Sequence, residues 1–180
     1  MDEMMPSDVF GGTRPQSNVR DTVLLPAYSG DGLVIGEIGR VCVTIWRKKS
    51  TRERFERQRA ALADLVDRHP GEAGFMCVVE KSSEPPEDEY VRRGSATMIT
   101  DHGAKLSGIS VVSEGTGFRV AVARSLMSGM MFLMRNPAPI RIFESVPTGS
   151  NWLALHAFTG PVAQFIANVE ALRQHLDILK

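Results

Sequence analysis

The sequence has few cysteines and histidines and no surplus of charge of either sign. These features argue against a disulfide-stabilised protein, a metal-binding protein and a nucleic-acid binder. Two cysteines cannot form a disulfide framework, and the four scattered histidines match no metal-binding motif. The 21 basic and 21 acidic side chains cancel, which argues against a general nucleic-acid binder because such proteins usually carry a basic surplus. We therefore expect no metal or other cofactor and no nucleic-acid partner.

Long hydrophobic segments are missing as well. The longest apolar run, residues 126–134, is interrupted by Ser128 and Gly129, whereas a membrane-spanning helix needs about twenty apolar residues. Residues 1–6 are too acidic and polar for a secretory signal. The sequence therefore predicts a soluble, cytoplasmic protein without a membrane span.

What the sequence contains is an alternation of strand and helix patterns within one domain. Apolar residues make up 43% of the 180, enough for a sizeable core, and residues 1–21 have the composition of a disordered or loosely attached tail. Within residues 22–180, a β-hairpin is followed by three alternations of helix and strand and then by two helices. This order predicts a single-domain α/β sandwich, with a mixed sheet of four or five strands covered by helices.

Local signals place the first two helices. Ser50 and Glu53 have the spacing of a capping box, in which the serine hydroxyl accepts from the Glu53 amide and the carboxylate reaches back. This helix is predicted to continue to about His69. A second helix is predicted to start near the proline pair at Pro85, where a missing amide is harmless, and to end at about Gly103.

Two stretches of opposite charge follow one another along the chain. Residues 47–59 hold seven basic side chains against two acidic ones, and residues 80–93 hold five acidic against three basic. Their opposite fields could steer a charged partner. The interpretation we favour is a solvated helix face with internal ion pairs, such as Glu53 with Arg57.

Three hydrophobic blocks, and the order of the elements around them, resemble a known domain. The blocks are Val41–Trp46, residues 75–79 and residues 109–112. Over residues 33–158 the chain resembles the STAS domain, which is found in anti-sigma-factor antagonists and on sulphate transporters. Residues 114–118 and 141–146 are similar to segments of an uncharacterised group of bacterial STAS-like proteins. No activity is assigned to that group, so the similarity implies none for this chain.

The resemblance implies a non-enzymatic role and a phosphorylation switch. In partner-switching STAS domains, a serine that follows an aspartate at a helix start accepts the phosphate. The corresponding segment here begins Lys81-Ser82-Ser83 and has no Asp-Ser pair, so Ser83 is the nearest candidate phosphoacceptor and Ser82 is its neighbour. The amides of a helix that starts just after this loop would favour a phosphate.

A glycine loop, Gly115-Thr116-Gly117, lies between a predicted strand and a predicted helix. Its amides at the helix start could bind an anion. A dinucleotide fingerprint would need a third glycine at Val120, so a plain tight turn is the interpretation we favour. The helix predicted over residues 118–136 carries four methionines, which either form an adaptable binding surface or pack on the sheet.

No catalytic motif is apparent in the sequence. It has no G-x-S-x-G segment, which marks the nucleophile of many hydrolases. Cys42 and Cys77 lie within apolar strands, where a thiol usually behaves as a small hydrophobe. We expect both cysteines to be reduced and poorly reactive.

The final helix, predicted over residues 161–179, carries an apolar stripe whose spacing alternates between three and four residues. The stripe comprises Val162, Phe165, Ile166, Val169, Leu172, Leu176 and Leu179. It is too short for a free coiled coil, so it must pack on the chain's own sheet or on a partner. We lean towards self-association through this stripe, which would make the protein a homodimer.

Together these features favour a non-catalytic, cytoplasmic interaction or regulatory module that binds another protein or a second copy of itself. The alternative is a binding protein or an enzyme for a small anionic or lipid-like ligand, which would use the loop of residues 115–117 and the methionine-rich helix. A deep apolar pocket beside Gly117 would favour the ligand, and a flat apolar patch would favour a protein partner.

Overall fold

Six strands form one mixed sheet in the described part of the chain, which comprises residues 26–115, 138–158 and 160–178 of a computed structural model. The strands are β1 (Tyr28–Gly30), β2 (Leu33–Ile38), β3 (Val41–Trp46), β4 (Ala73–Val79), β5 (Leu106–Ser113) and β6 (Ile140–Phe143). Their order across the sheet is their order along the chain. β1 to β3 pair antiparallel, whereas β3 to β6 pair parallel. The predicted α/β class with a mixed sheet is confirmed.

The predicted count of four or five strands is wrong, because residues 28–30 form the short strand β1 in a segment whose composition is typical of a turn. Residues 29–32 contain the serine, glycines and aspartate that are typical of turns. In the structure Ser29 pairs with Val34, and the turn is confined to Asp31 and Gly32. A three-residue strand is too short for an alternating pattern to indicate it.

Four helices in the described residues cover both faces of the sheet. They are α1 (Arg52–Arg68), α2 (Glu89–Gly103), α3 (Val146–Leu153) and α4 (Val162–Ile178). Successive side chains of β3 point to opposite faces: Cys42 and Trp46 pack with α1 and α2, whereas Val43 and Ile45 pack with α3 and α4. Burial on both faces explains why β3 is a nearly continuous apolar run.

A buried glutamine fixes α1 against β3. Gln58 is buried among the apolar residues of the helix and accepts a hydrogen bond from Trp46 Nε1 at 2.7 Å. Without that partner, burial of the amide would cost free energy. The bond therefore adds a directional contact to the apolar packing of Phe55, Leu62 and Leu65.

The predicted capping box at Ser50 is wrong by one residue. The helix begins at Arg52, and its N-cap is Thr51, whose hydroxyl accepts from the Arg54 amide at 3.4 Å. Thr51 has the extended backbone that an N-cap residue requires. Two consecutive hydroxyl residues suit the cap, and the sequence pattern does not distinguish between them.

The second helix also begins later than predicted. Residues 83–88 are non-helical, and Asp88 is the N-cap, whose carboxylate accepts from the Tyr90 amide at 2.8 Å. The proline pair at Pro85 lies in the preceding loop, because the second proline keeps the first out of the helical region. The predicted end at Gly103 is confirmed.

The apolar stripe of α4 lies largely against the chain's own sheet. Its buried members are Phe165, Val169, Leu172 and Leu176. Val162 and Ile166 are half-buried. Leu172 packs on Gly36 of β2, where a Cβ atom would lie 2.5 Å from the leucine Cδ1, so glycine allows the helix to approach. A dimer through the four buried residues would require α4 to leave the sheet.

The described residues test only part of the sequence predictions. The tail over residues 1–21, the helix over residues 118–136, and Thr116, Gly117 and Leu179 all lie outside them. Within them, no helix is both long enough and apolar enough to cross a membrane.

Replacing Thr51 with alanine tests the cap of α1. The Arg54 amide loses its side-chain acceptor, so we expect Thr51→Ala to lower the free energy of unfolding by about 1 kcal/mol. Ser50→Ala is the matched control and should change it by less than about 0.5 kcal/mol. Urea unfolding followed by circular dichroism measures both. A larger effect at Ser50 than at Thr51 would show that Ser50 is the N-cap residue.

Val169 tests whether α4 belongs to the core. Its side chain is fully buried, and Val169→Asp places an unpaired carboxylate there, so we expect a loss of more than about 3 kcal/mol of stability. Ala167 is exposed on the same helix, and Ala167→Asp should cost less than about 1 kcal/mol. Denaturant unfolding compares the two variants. Equal stabilities would show that α4 is not part of the core.

Candidate functional site

The carboxyl ends of three parallel strands bring charged residues to one edge of the sheet. Arg47 follows β3, Glu80 follows β4 and Glu114 follows β5. Backbone pairing continues past the strand ends, from the Glu80 amide to the Trp46 carbonyl at 2.8 Å and from the Glu114 amide to the Val79 carbonyl at 2.9 Å. Open α/β sheets bind their ligands outside the carboxyl ends of the strands, so this edge is the candidate site.

Arg173 of α4 reaches this edge and joins the carboxylates into one ion network. The Arg47 guanidinium donates to Glu80 at 2.6 and 3.2 Å. Arg173 donates to both carboxylate oxygens of Glu114, at 2.8 and 2.7 Å, and to Glu80 at 3.2 Å. Asp177 of α4 accepts from Arg47 at 2.6 Å. The network therefore ties β3, β4 and β5 to the final helix.

The network is largely shielded from water. The Glu80 side chain is 10% exposed, that of Arg47 is 18% exposed and that of Arg173 is 20% exposed. The hydrogen bond to Glu80 raises the pKa of Arg47, and the one to Glu114 raises the pKa of Arg173, although burial acts in the opposite direction. Both guanidinium groups stay charged, so neither can act as a general base.

One donor of this network is incompletely satisfied. Arg173 Nε lies 3.1 Å from an oxygen of Glu170, close enough for an ion pair but outside hydrogen-bonding geometry. The other two nitrogens of the guanidinium carry the directional bonds. Arg173 is therefore held by its terminal nitrogens, and Glu170 contributes mainly charge.

Ser82 and Ser83 lie in the loop that leaves this edge after β4. The Ser82 hydroxyl donates to the Arg47 carbonyl at 3.0 Å, and the Ser83 hydroxyl donates to the Lys48 carbonyl at 3.3 Å. The expectation that a helix starts just after this loop segment is wrong, because Asp88 is the N-cap of α2 and several residues intervene. Helix amides therefore give no support to a phosphate on Ser83, and its role as phosphoacceptor stays a prediction.

Gly115 lies beside the serine loop. Its φ of +107° favours glycine, and a Cβ atom there would lie 3.1 Å from Lys81 Cγ. The structure thus brings two segments that the sequence singled out to the same edge of the sheet. Anion binding by Gly115, Thr116 and Gly117 stays a prediction, since the last two lie outside the described residues.

The two oppositely charged stretches pair within themselves and with each other. Lys49 of the basic stretch forms an ion pair with Glu87 of the acidic stretch. The predicted pair of Glu53 with Arg57 is present at 3.9 Å. The interpretation as internal ion pairs is therefore confirmed, and these pairs weaken the opposite fields that could steer a partner.

A surface groove runs along the seam between α1 and α2. It consists of two adjoining cavities of about 390 and 370 Å³, which share Arg59, Met98 and Asp101 in their lining. Gly94 of α2 allows close approach, because a Cβ atom there would lie 2.6 Å from a ring carbon of Phe55. The sequence does not predict this groove. The helix α2 is only weakly amphipathic, so its pattern gives little indication of the face that borders α1.

The two cysteines are free thiols on neighbouring strands. Cys42 is buried and Cys77 is half-buried. Burial raises the pKa of Cys42 to about 12 and that of Cys77 to about 11. Both thiols are therefore protonated at neutral pH and supply little of the thiolate that nucleophilic catalysis needs.

Neither metal-ligand clusters nor known relatives define the site further. The described residues contain no group of three or more His, Cys, Asp or Glu side chains that could hold a metal ion. Comparisons of the chain with protein families, with curated proteins and with solved structures found no match. The resemblance to STAS domains therefore stays a prediction.

Glu80 tests the strength of the ion network. In Glu80→Gln two largely buried arginines lose a charged partner, so we expect the free energy of unfolding to fall by about 2 kcal/mol. Glu53→Gln is the matched control: Glu53 is 76% exposed and its loss should cost less than about 0.5 kcal/mol. Urea unfolding at low and high salt measures both. Equal effects would mean that the network contributes no more than a surface pair.

Thiol labelling tests the burial of the cysteines. The raised pKa values of about 11 and 12 leave at most about one thiolate in 10⁴ at pH 7. We expect native protein to react with DTNB far more slowly than urea-unfolded protein, and the native rate to rise with pH. Cys77→Ser should remove the faster of the two reactions, because Cys77 is the more exposed thiol. Rapid labelling of native protein at neutral pH would contradict this.

Proposed function

We propose that the protein is a non-catalytic, cytoplasmic interaction or regulatory module that binds another protein. The observation that carries this proposal is the ion network at the carboxyl edge, where Arg47, Glu80, Glu114 and Arg173 pair with one another. In α/β proteins that act on a ligand at this edge, such side chains face the ligand. Here they face each other and bind α4.

The candidate nucleophiles also lack activation. The hydroxyls of Ser82 and Ser83 donate to backbone carbonyls, whereas a catalytic serine needs a base within hydrogen-bond reach. The thiols of Cys42 and Cys77 have raised pKa values. These observations support binding rather than catalysis.

The groove between α1 and α2 has a surface that suits a protein partner. Tyr90 is partly exposed, and the Arg52 guanidinium lies over its ring, 4.1 Å from the centroid. Exposed tyrosine and arginine are enriched at protein interfaces and among their hot spots. The groove is open and carries charges of both signs, so it differs from the deep apolar pocket that a lipid-like ligand requires.

Regulation by phosphorylation of Ser82 or Ser83 forms part of the proposal. A phosphate on Ser82 would remove the hydroxyl donor to the Arg47 carbonyl and add about two negative charges next to Lys81. The loop would then loosen from the end of β3. Intact-mass measurement of protein from its own cells should show a phosphorylated fraction that Ser82→Ala and Ser83→Ala together abolish. Unmodified protein under every growth condition would overturn this part.

Ligand screening separates an interaction module from the small-ligand alternative. A ligand that binds only the native state stabilises it by about 2.7 kcal/mol at one hundred times its Kd. We expect inorganic phosphate, nucleotides and fatty acids to leave the Tm of the full chain unchanged. A concentration-dependent rise in Tm that Gly115→Val removes would favour the ligand-binding alternative.

A protein partner can be tested directly. The full chain serves as bait in an extract of its own cells, and a captured protein is then purified and titrated by calorimetry. Tyr90→Ala should weaken binding about tenfold or more, as at an interface hot spot. Ile178→Ala is the control, because Ile178 is 77% exposed on α4, outside the groove. Absence of a direct binder, or equal weakening by both variants, would refute the proposed role of the groove.

A further inference from the structure

We draw no further inference here: the strongest candidate, the partly exposed surface patch of Trp152, Leu155 and His156 at the end of α3, beside the edge strand β6, carries nothing because nothing among the described residues shows what would cover it.

Discussion

The ion network around Glu80 is the constraint on which the arrangement of sheet and final helix depends. Burial of a charge costs desolvation free energy, which is offset only when each charge keeps its partner. Glu80 accepts from Arg47 at the end of β3 and from Arg173 of α4, and Arg173 also holds Glu114 at the end of β5. Displacement of any one of these elements would take a charged partner away from a largely buried side chain.

The network acts together with the apolar stripe of α4 to determine which surfaces remain free. Phe165 and Val169 fasten the helix by apolar burial, and Arg173 fixes its position relative to the strand ends. The edge where α/β proteins commonly bind ligands is thereby occupied by the chain's own side chains. Since both faces of the sheet are also covered, the surfaces that remain free among the described residues are the outer faces of the helices and the edges of the sheet.

Local patterns predict the order and the approximate limits of the elements, because hydrophobic periodicity, glycine and proline act over a few residues. Limits fail where two neighbouring residues suit the same role, as Ser50 and Thr51 do, or where a strand is as short as β1. The network is beyond local prediction, since Arg173 lies 93 residues from Glu80. The serine and glycine loops are recognisable from sequence, whereas their proximity depends on the alignment of β4 with β5.

Asp101 illustrates how the dipole of a helix bears on one of its own side chains. It lies in the last turn of α2, where the partial negative charge of the helix end disfavours a carboxylate by about 0.3–1 kcal/mol. No ion pair of the chain, as far as the structure describes it, offsets this cost. The cost stays small because Asp101 is exposed and water solvates its carboxylate.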